Sequence, residues 1–148
     1  ASPEWRNGDF YAHGGMPQTL FELRMQTLRN YGLERLYEEK VPNPTERQAL
    51  LERQCRAWAN RFDPHSMITL AAAAETFDVR QSVRNLQARL LFVVCTTDAI
   101  FPPERETEAI LRSMSVPVRY VELESPFGHM ASGVEWRRLA PELRWLLN

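Results

Sequence analysis

Six consecutive apolar residues, Leu90-Leu91-Phe92-Val93-Val94-Cys95, constrain this chain more than any other stretch. A half-buried strand alternates in polarity, because successive side chains point to opposite faces of the sheet. An unbroken run this short predicts a strand buried on both faces, as in a parallel sheet covered by helices. A parallel neighbour requires a crossover connection, and one follows. Thr96-Thr97-Asp98 reads as a polar turn. Phe101-Pro102-Pro103 leads into a helix with Glu104 and Glu106 in its first turn, where acids suit the helix dipole, and with Ile110, Leu111 and Met114 on its apolar side. Residues 116–123 alternate as a strand nearer the sheet edge, with Pro117 at its start. The Ser125-Pro126-Phe127-Gly128-His129 loop leads to a final helix with Val134, Leu139, Leu143 and Leu146 inward. Residues 87–148 are therefore predicted as a βαβα unit of an α/β architecture.

Residues 1–86 read differently. The first fifteen have loop composition, with Trp5, Gly8, Phe10, Tyr11, Gly14 and Gly15. Pro17 opens a helix with Leu20, Leu23, Thr27 and Leu28 on one face and Gly32 as the residue after its end. A polar segment runs from Leu33 to Asn43. The next helix, to about Asn60, has two candidate starts: Thr45 with Gln48 as a capping box, or Asn43 followed by Pro44. Its expected inward residues are Leu50, Leu51, Cys55 and Trp58. Asp63 caps a third helix opened by Pro64, with Met67, Leu70, Ala71, Ala74 and Phe77 as its apolar stripe. Residues 1–86 are thus a helical region and 87–148 a piece of a sheet-based core. Two strands make a poor isolated sheet, so a further segment, covalently attached or separate, is expected to complete it. The absence of an initiator Met fits the same expectation.

Composition excludes several function classes. The net charge is −1 with no basic run, which gives no electrostatic case for nucleic acid or an anionic membrane. No apolar stretch approaches the ~20 residues needed to span a bilayer. Cys55 and Cys95 form no CxxC pair, so neither a disulfide framework nor a zinc site is expected, and a reducing cytoplasm is the simplest setting. No metal site and no bound cofactor are predicted.

Chemistry points to Asp98 and His129. Catalytic groups in open α/β sheets gather just beyond the C-terminal ends of strands. Asp98 lies three residues past the run 90–95, and His129 lies six residues past Leu123. Both should rise from one sheet edge on neighbouring strands. An Asp there can accept a hydrogen bond from one imidazole nitrogen and fix the tautomer, leaving the other nitrogen to deprotonate a hydroxyl. Read singly, the Asp is better explained as a turn or N-cap residue and the His as a solvated or structural one; their pairing at strand ends carries the inference. His13 and His65 could line a pocket under the helical region but read more readily as solvated, the four tryptophans as packing residues, and Ser132 as a helix-start residue.

Four stretches resemble the homoserine O-acetyltransferase family of the α/β-hydrolase superfamily. Residues 2–10, Ser-Pro-Glu-Trp-Arg-Asn-Gly-Asp-Phe, are similar to the family's DPxWxxGxY stretch before the helical lid. Residues 61–67 are similar to its FDxNSY lid helix. Residues 96–103 resemble its SDxxFPP acid loop and residues 124–129 its SxxGH histidine loop. The resemblance implies the C-terminal half of an α/β-hydrolase fold: a helical lid followed by a terminal βαβα unit. It implies Asp98 as triad acid and His129 as general base, in the Ser, Asp, His chain order of that fold. It further implies a Ser nucleophile that takes an acetyl group from acetyl-CoA and passes it to a hydroxyl acceptor such as homoserine. No Gly-x-Ser-x-Gly elbow occurs in this sequence, so the Ser must come from an N-terminal half or subunit. Trp5 and Met130 are candidate substrate-binding residues, and the lid helices a candidate surface for homo-oligomer formation. At Met130 the family usually carries an acid that can face an acceptor's ammonium group. A thioether cannot pair with a cation, which leaves three readings open: transfer to another hydroxyl acceptor, esterase-like hydrolysis with the same triad, and a fragment inactive without its partner.

Overall fold

A computed structural model describes residues 2–148 and divides the chain into two compact units. One comprises the residues up to Arg29 together with Tyr37–Phe77; the other comprises Asn30–Leu36 and Asp78–Asn148.

The first unit is helical. Its opening residues are not plain loop but two 3-10 turns, Pro3–Gly8 and Tyr11–His13. Helix α1 (Pro17–Asn30) opens at Pro17 and is tied at its first turn to the residues before it. One of its first-turn amides is met from fifteen residues upstream: the Glu4 carboxylate accepts from Thr19 N at 2.8 Å and also from Thr19 Oγ1 at 2.6 Å. These bonds, the hydroxyl's first, hold the Glu4 carboxyl below its ordinary range. Leu20, Met25 and Leu28 are buried; Leu23, expected inward, lies on the outer side because Met25 takes the inward position. The expected polar segment after Gly32 is itself helical, α2 (Leu33–Lys40); its first four residues belong to the second unit, and Leu33 and Leu36 among them are buried. Its short amphipathic repeat is masked by three Glu, a Lys and an Arg. Helix α3 (Pro44–Ala59) starts at Asn43, whose Oδ1 accepts from Thr45 N and Glu46 N, so the second candidate start is the one used. Leu51, Cys55 and Ala59 are buried, whereas Leu50 and Trp58 are half-buried. A core of Phe10, Met16, Leu20 and Ala59, flanked by Trp5, Phe21 and Trp58, closes the unit.

Helix α4 (Pro64–Thr76) departs most from expectation. Asp63 caps it as the sequence implies, accepting from Ser66 N at 2.9 Å. Its apolar stripe is not inward: Leu70 and Phe77 are 65% and 74% exposed, and Ile68 and Ala71 are exposed with them. The pattern is a burying one, yet the described residues supply no surface to bury it.

In the second unit, β1 (Leu90–Cys95) and β2 (Val118–Leu123) pair in parallel, in register from Leu90↔Val118 to Cys95↔Leu123. Helix α5 (Arg105–Arg112) makes the crossover, with Glu104 at its N-cap and Leu111 buried. Val94, Cys95 and Leu123 are buried, but Leu90 to Val93 are only half-buried. Full burial fails because β2 is the one strand that pairs with β1 among the described residues. The expected final helix is broken into α6 (Ala131–Val134), a 3-10 turn and α7 (Ala140–Leu147). Leu139 is buried, Val134 and Leu146 are half-buried, and Leu143 is exposed. Trp145 packs beneath the Arg119 guanidinium at 4.4 Å, whereas Trp136 is exposed. No helix among the described residues is long and apolar enough to cross a membrane.

Gly32 is the tightest point of this unit. It adopts φ +80°, and a Cβ there would lie 3.0 Å from the Phe127 carbonyl oxygen. Gly32→Ala should therefore cost about 1–3 kcal/mol, from left-handed strain plus a backbone clash, and urea unfolding should show a lowered midpoint. A second outcome concerns acid. The Tyr11 hydroxyl, then the Ser66 hydroxyl and amide, bring the Asp63 carboxyl down to about 2 from 3.8. A depressed folded-state pKa stabilises above the unfolded value and loses that contribution as pH falls through the folded value. Asp63→Asn should flatten the acid limb of stability between those two values, read by circular dichroism melts across that range.

Candidate active site

Parallel pairing sends both strand ends to the same edge. Thr96 N continues the ladder to Leu123 O at 3.1 Å, and Asp98 N closes a tight turn on Cys95 O at 3.1 Å. Asp98 is then fixed from two sides. Its Oδ1 accepts from Ile100 N at 2.8 Å and Phe101 N at 3.1 Å, and its Oδ2 lies 2.9 Å from His129 Nδ1. The Asp98 side chain is 8% exposed. Burial pushes its carboxyl upward, but the Ile100 amide, the His129 ring and the Phe101 amide together outweigh burial and hold it below the ordinary carboxylate range. An ionised carboxylate only accepts, so the proton on this bond belongs to His129 Nδ1. The Nε2 atom is left as the nitrogen that can take a proton.

His129 stands in the 3-10 turn Gly128–Met130, its side chain 32% exposed. Gly128 reaches this turn at φ +53°, where a Cβ would sit 3.2 Å from Tyr31 O. The Tyr31 and Phe101 rings flank the imidazole at 4.7 and 5.6 Å between centroids. A cavity of about 230 Å³ opens here, lined by Phe92, Cys95, Asp98, Phe101, His129 and Ser132 among others. Ser132 is the second residue of α6, consistent with a helix-start role.

The other candidates fall as follows. Met130 follows His129 directly and is half-buried. Trp5 lies in the first unit, its ring 5.6 Å from Phe10 and 5.5 Å from His65. His65, read as solvated, is half-buried. It packs on Trp5, Phe10 and Tyr11, and its Nδ1 is 3.1 Å from the Tyr11 hydroxyl, which donates to Asp63 Oδ1. His13 is exposed as expected. No group of three or more His, Cys, Asp or Glu among the described residues is placed to hold a metal ion.

Sequence reasoning missed Thr97, Tyr31 and Phe101 as neighbours of the pair. Thr97 and Phe101 sit inside the acid-loop motif and were open to suspicion. Nothing local marks Tyr31, which meets His129 only through the fold.

No model of a known protein family matches the chain. Individual relatives do. The chain is 32% identical over 100 residues to a homoserine O-acetyltransferase of Geobacter metallireducens, covering 62% of this chain and 27% of the relative. It is 30% identical to a serine O-succinyltransferase of Litchfieldella anticariensis over 95% of this chain and 46% of the relative. In structure it matches homoserine O-acetyltransferase from Bacillus anthracis with a TM-score of 0.70 at 19% identity, over 99% of this chain and 45% of that one. The chain therefore spans less than half the length of these relatives. By sequence and by fold, it is a homologue of the homoserine O-acetyltransferase family and corresponds to a C-terminal part of that family's fold.

Proposed function

We propose that this chain supplies the acid and the base of a Ser-His-Asp acyl-transfer site, and that a segment beyond it supplies the serine. The carrying observation is the 2.9 Å hydrogen bond between His129 Nδ1 and Asp98 Oδ2 at the common end of two parallel strands. In this reading His129 Nε2 takes the serine proton as the serine oxygen attacks the thioester carbonyl of an acyl-CoA, with acetyl-CoA the expected donor. The tetrahedral adduct collapses to an acyl-serine, and the departing CoA sulfur takes the proton from His129. An acceptor hydroxyl then gives its proton to Nε2 and attacks the acyl-serine; as the adduct collapses, Nε2 returns that proton to the departing serine oxygen, releasing the O-acyl product and the free serine. Asp98 stabilises the imidazolium formed in each half.

The names of the relatives support transfer to a hydroxyl amino acid while varying both partners: acetyl in one, succinyl in another; homoserine in one, serine in another. Met130 favours a second reading, in which water is the acceptor and the product a free acid. It places a thioether where the resembling motif carries an acid. The completing segment, an N-terminal half or subunit, is supported by the half-buried β1 and by the uncovered face of α4. The same face is a candidate for association of copies through the lid helices. Two buried, unpaired cysteines fit a reducing cytoplasm.

The test is assembly. The chain is co-expressed with an upstream segment carrying a Ser elbow and given acetyl-CoA with homoserine, serine or no acceptor. Transfer should exceed hydrolysis, whereas free acetate as the sole product would favour the second reading. His129→Ala should lower kcat by about 10⁴-fold or more, and Asp98→Asn by about 10⁴-fold, since a displaced tautomer disables the base. Near-normal turnover in either variant refutes the assignment.

A further inference from the structure

The Asp98–His129 bond joins two loops 31 residues apart, so something must hold their spacing. We propose that Thr97 is a positioning residue for His129: its hydroxyl clips the histidine loop to the acid loop and keeps Nδ1 facing Asp98. This inference rests on the acyl-transfer reading for its purpose, but its geometry stands alone. Thr97 Oγ1 donates to Ser125 O at 2.6 Å and accepts from Gly128 N at 3.2 Å. One hydroxyl has one proton and two lone pairs, so both bonds hold together. Their partners bracket the turn that delivers His129: Ser125 opens it and Gly128 immediately precedes the imidazole.

The neighbouring links are weaker. Cys95 Sγ reaches the same Ser125 carbonyl only at 3.5 Å, and a thiol is a poor donor. Ser125 Oγ accepts from Phe127 N at 3.2 Å, which shapes the histidine loop internally without joining it to the acid loop. Gly128 is tight on the Tyr31 side, where a Cβ would meet Tyr31 O at 3.2 Å, and in ordinary contact range of Thr97 O at 3.5 Å. Thr97 thus acts on His129 through loop backbone and not through the ring. Its neighbour Asp98 fixes which imidazole nitrogen carries the proton; Thr97 fixes where that nitrogen lies.

The experiment compares Thr97→Val, which keeps shape and removes the hydroxyl, with Thr97→Ser, which restores it. Nitrogen NMR of the whole chain reads the His129 tautomer and the exchange protection of its Nδ1 proton. The unsubstituted chain and Thr97→Ser should hold the Nδ1–H form with a protected proton. Thr97→Val should lose that protection and shift toward the Nε2–H form, while its melting curve remains cooperative. In the assembled enzyme Thr97→Val should lower kcat by about 10- to 100-fold with KM nearly unchanged, the scale of a displaced catalytic group. An unchanged tautomer and protection in Thr97→Val overturns the proposal. If that variant does not fold, the Thr97 hydroxyl proton of the unsubstituted chain decides: slow exchange supports the clip, and exchange as fast as an exposed threonine overturns it. An assembled enzyme with no acyl transfer, alongside the tautomer shift in Thr97→Val, would sink the functional reading and leave the clip standing.

Discussion

Two strands that run the same way must also end the same way. With Cys95 opposite Leu123, the chain leaves the sheet twice at one edge, once into 96–98 and once into 124–129. Antiparallel pairing of the same segments would have put Asp98 and His129 at opposite ends. The acid, the base, the Thr97 bridge and the Phe101 ring all follow from that shared edge, and the Tyr31 ring meets the pair there from a separate segment. The carboxylate is then pinned by two backbone amides before it meets the imidazole, so its second oxygen has little freedom in where it points. Burial would favour the neutral acid; three donors keep it charged.

The same chain carries surface that its own residues do not cover. Helix α4 is patterned to bury an apolar stripe and exposes it, and the most hydrophobic strand is half-buried where a doubly covered strand would be buried throughout. Burial of a large apolar side chain is worth about 1.5–3 kcal/mol, so Leu70 and Phe77 forgo much of what their sequence can yield. The relatives are more than twice as long as the span they share with this chain, and the uncovered surfaces are where added structure would have most to gain.

Much of this was legible in order and spacing. The run at 90–95, the crossover and the alternating strand identify the sheet, and residue types just past each strand end single out Asp98 and His129 as candidates, which the fold brings to 2.9 Å. Helix starts were legible where Asn or Asp stands before Pro, as at Asn43 and Asp63. Other features were hidden for physical reasons. The Thr19 amide in the first turn of α1 is met by Glu4 from fifteen residues away, a pairing that local sequence does not signal. Charged residues in α2 obscure its two buried leucines. Periodicity identified the apolar face of α4 but cannot say whether its cover lies in the same chain. His65 gave no sign of being a packing centre, because its partners come from the other end of the helical unit.

The central claim is that the pair at this edge activates a serine outside the chain. Mass spectrometry of the assembled protein after brief exposure to acetyl-CoA tests it most directly. The account predicts one acetyl group on a serine of the partner segment, discharged when a hydroxyl acceptor is added. An acetyl group that forms only on this chain, or on no serine at all, would contradict it.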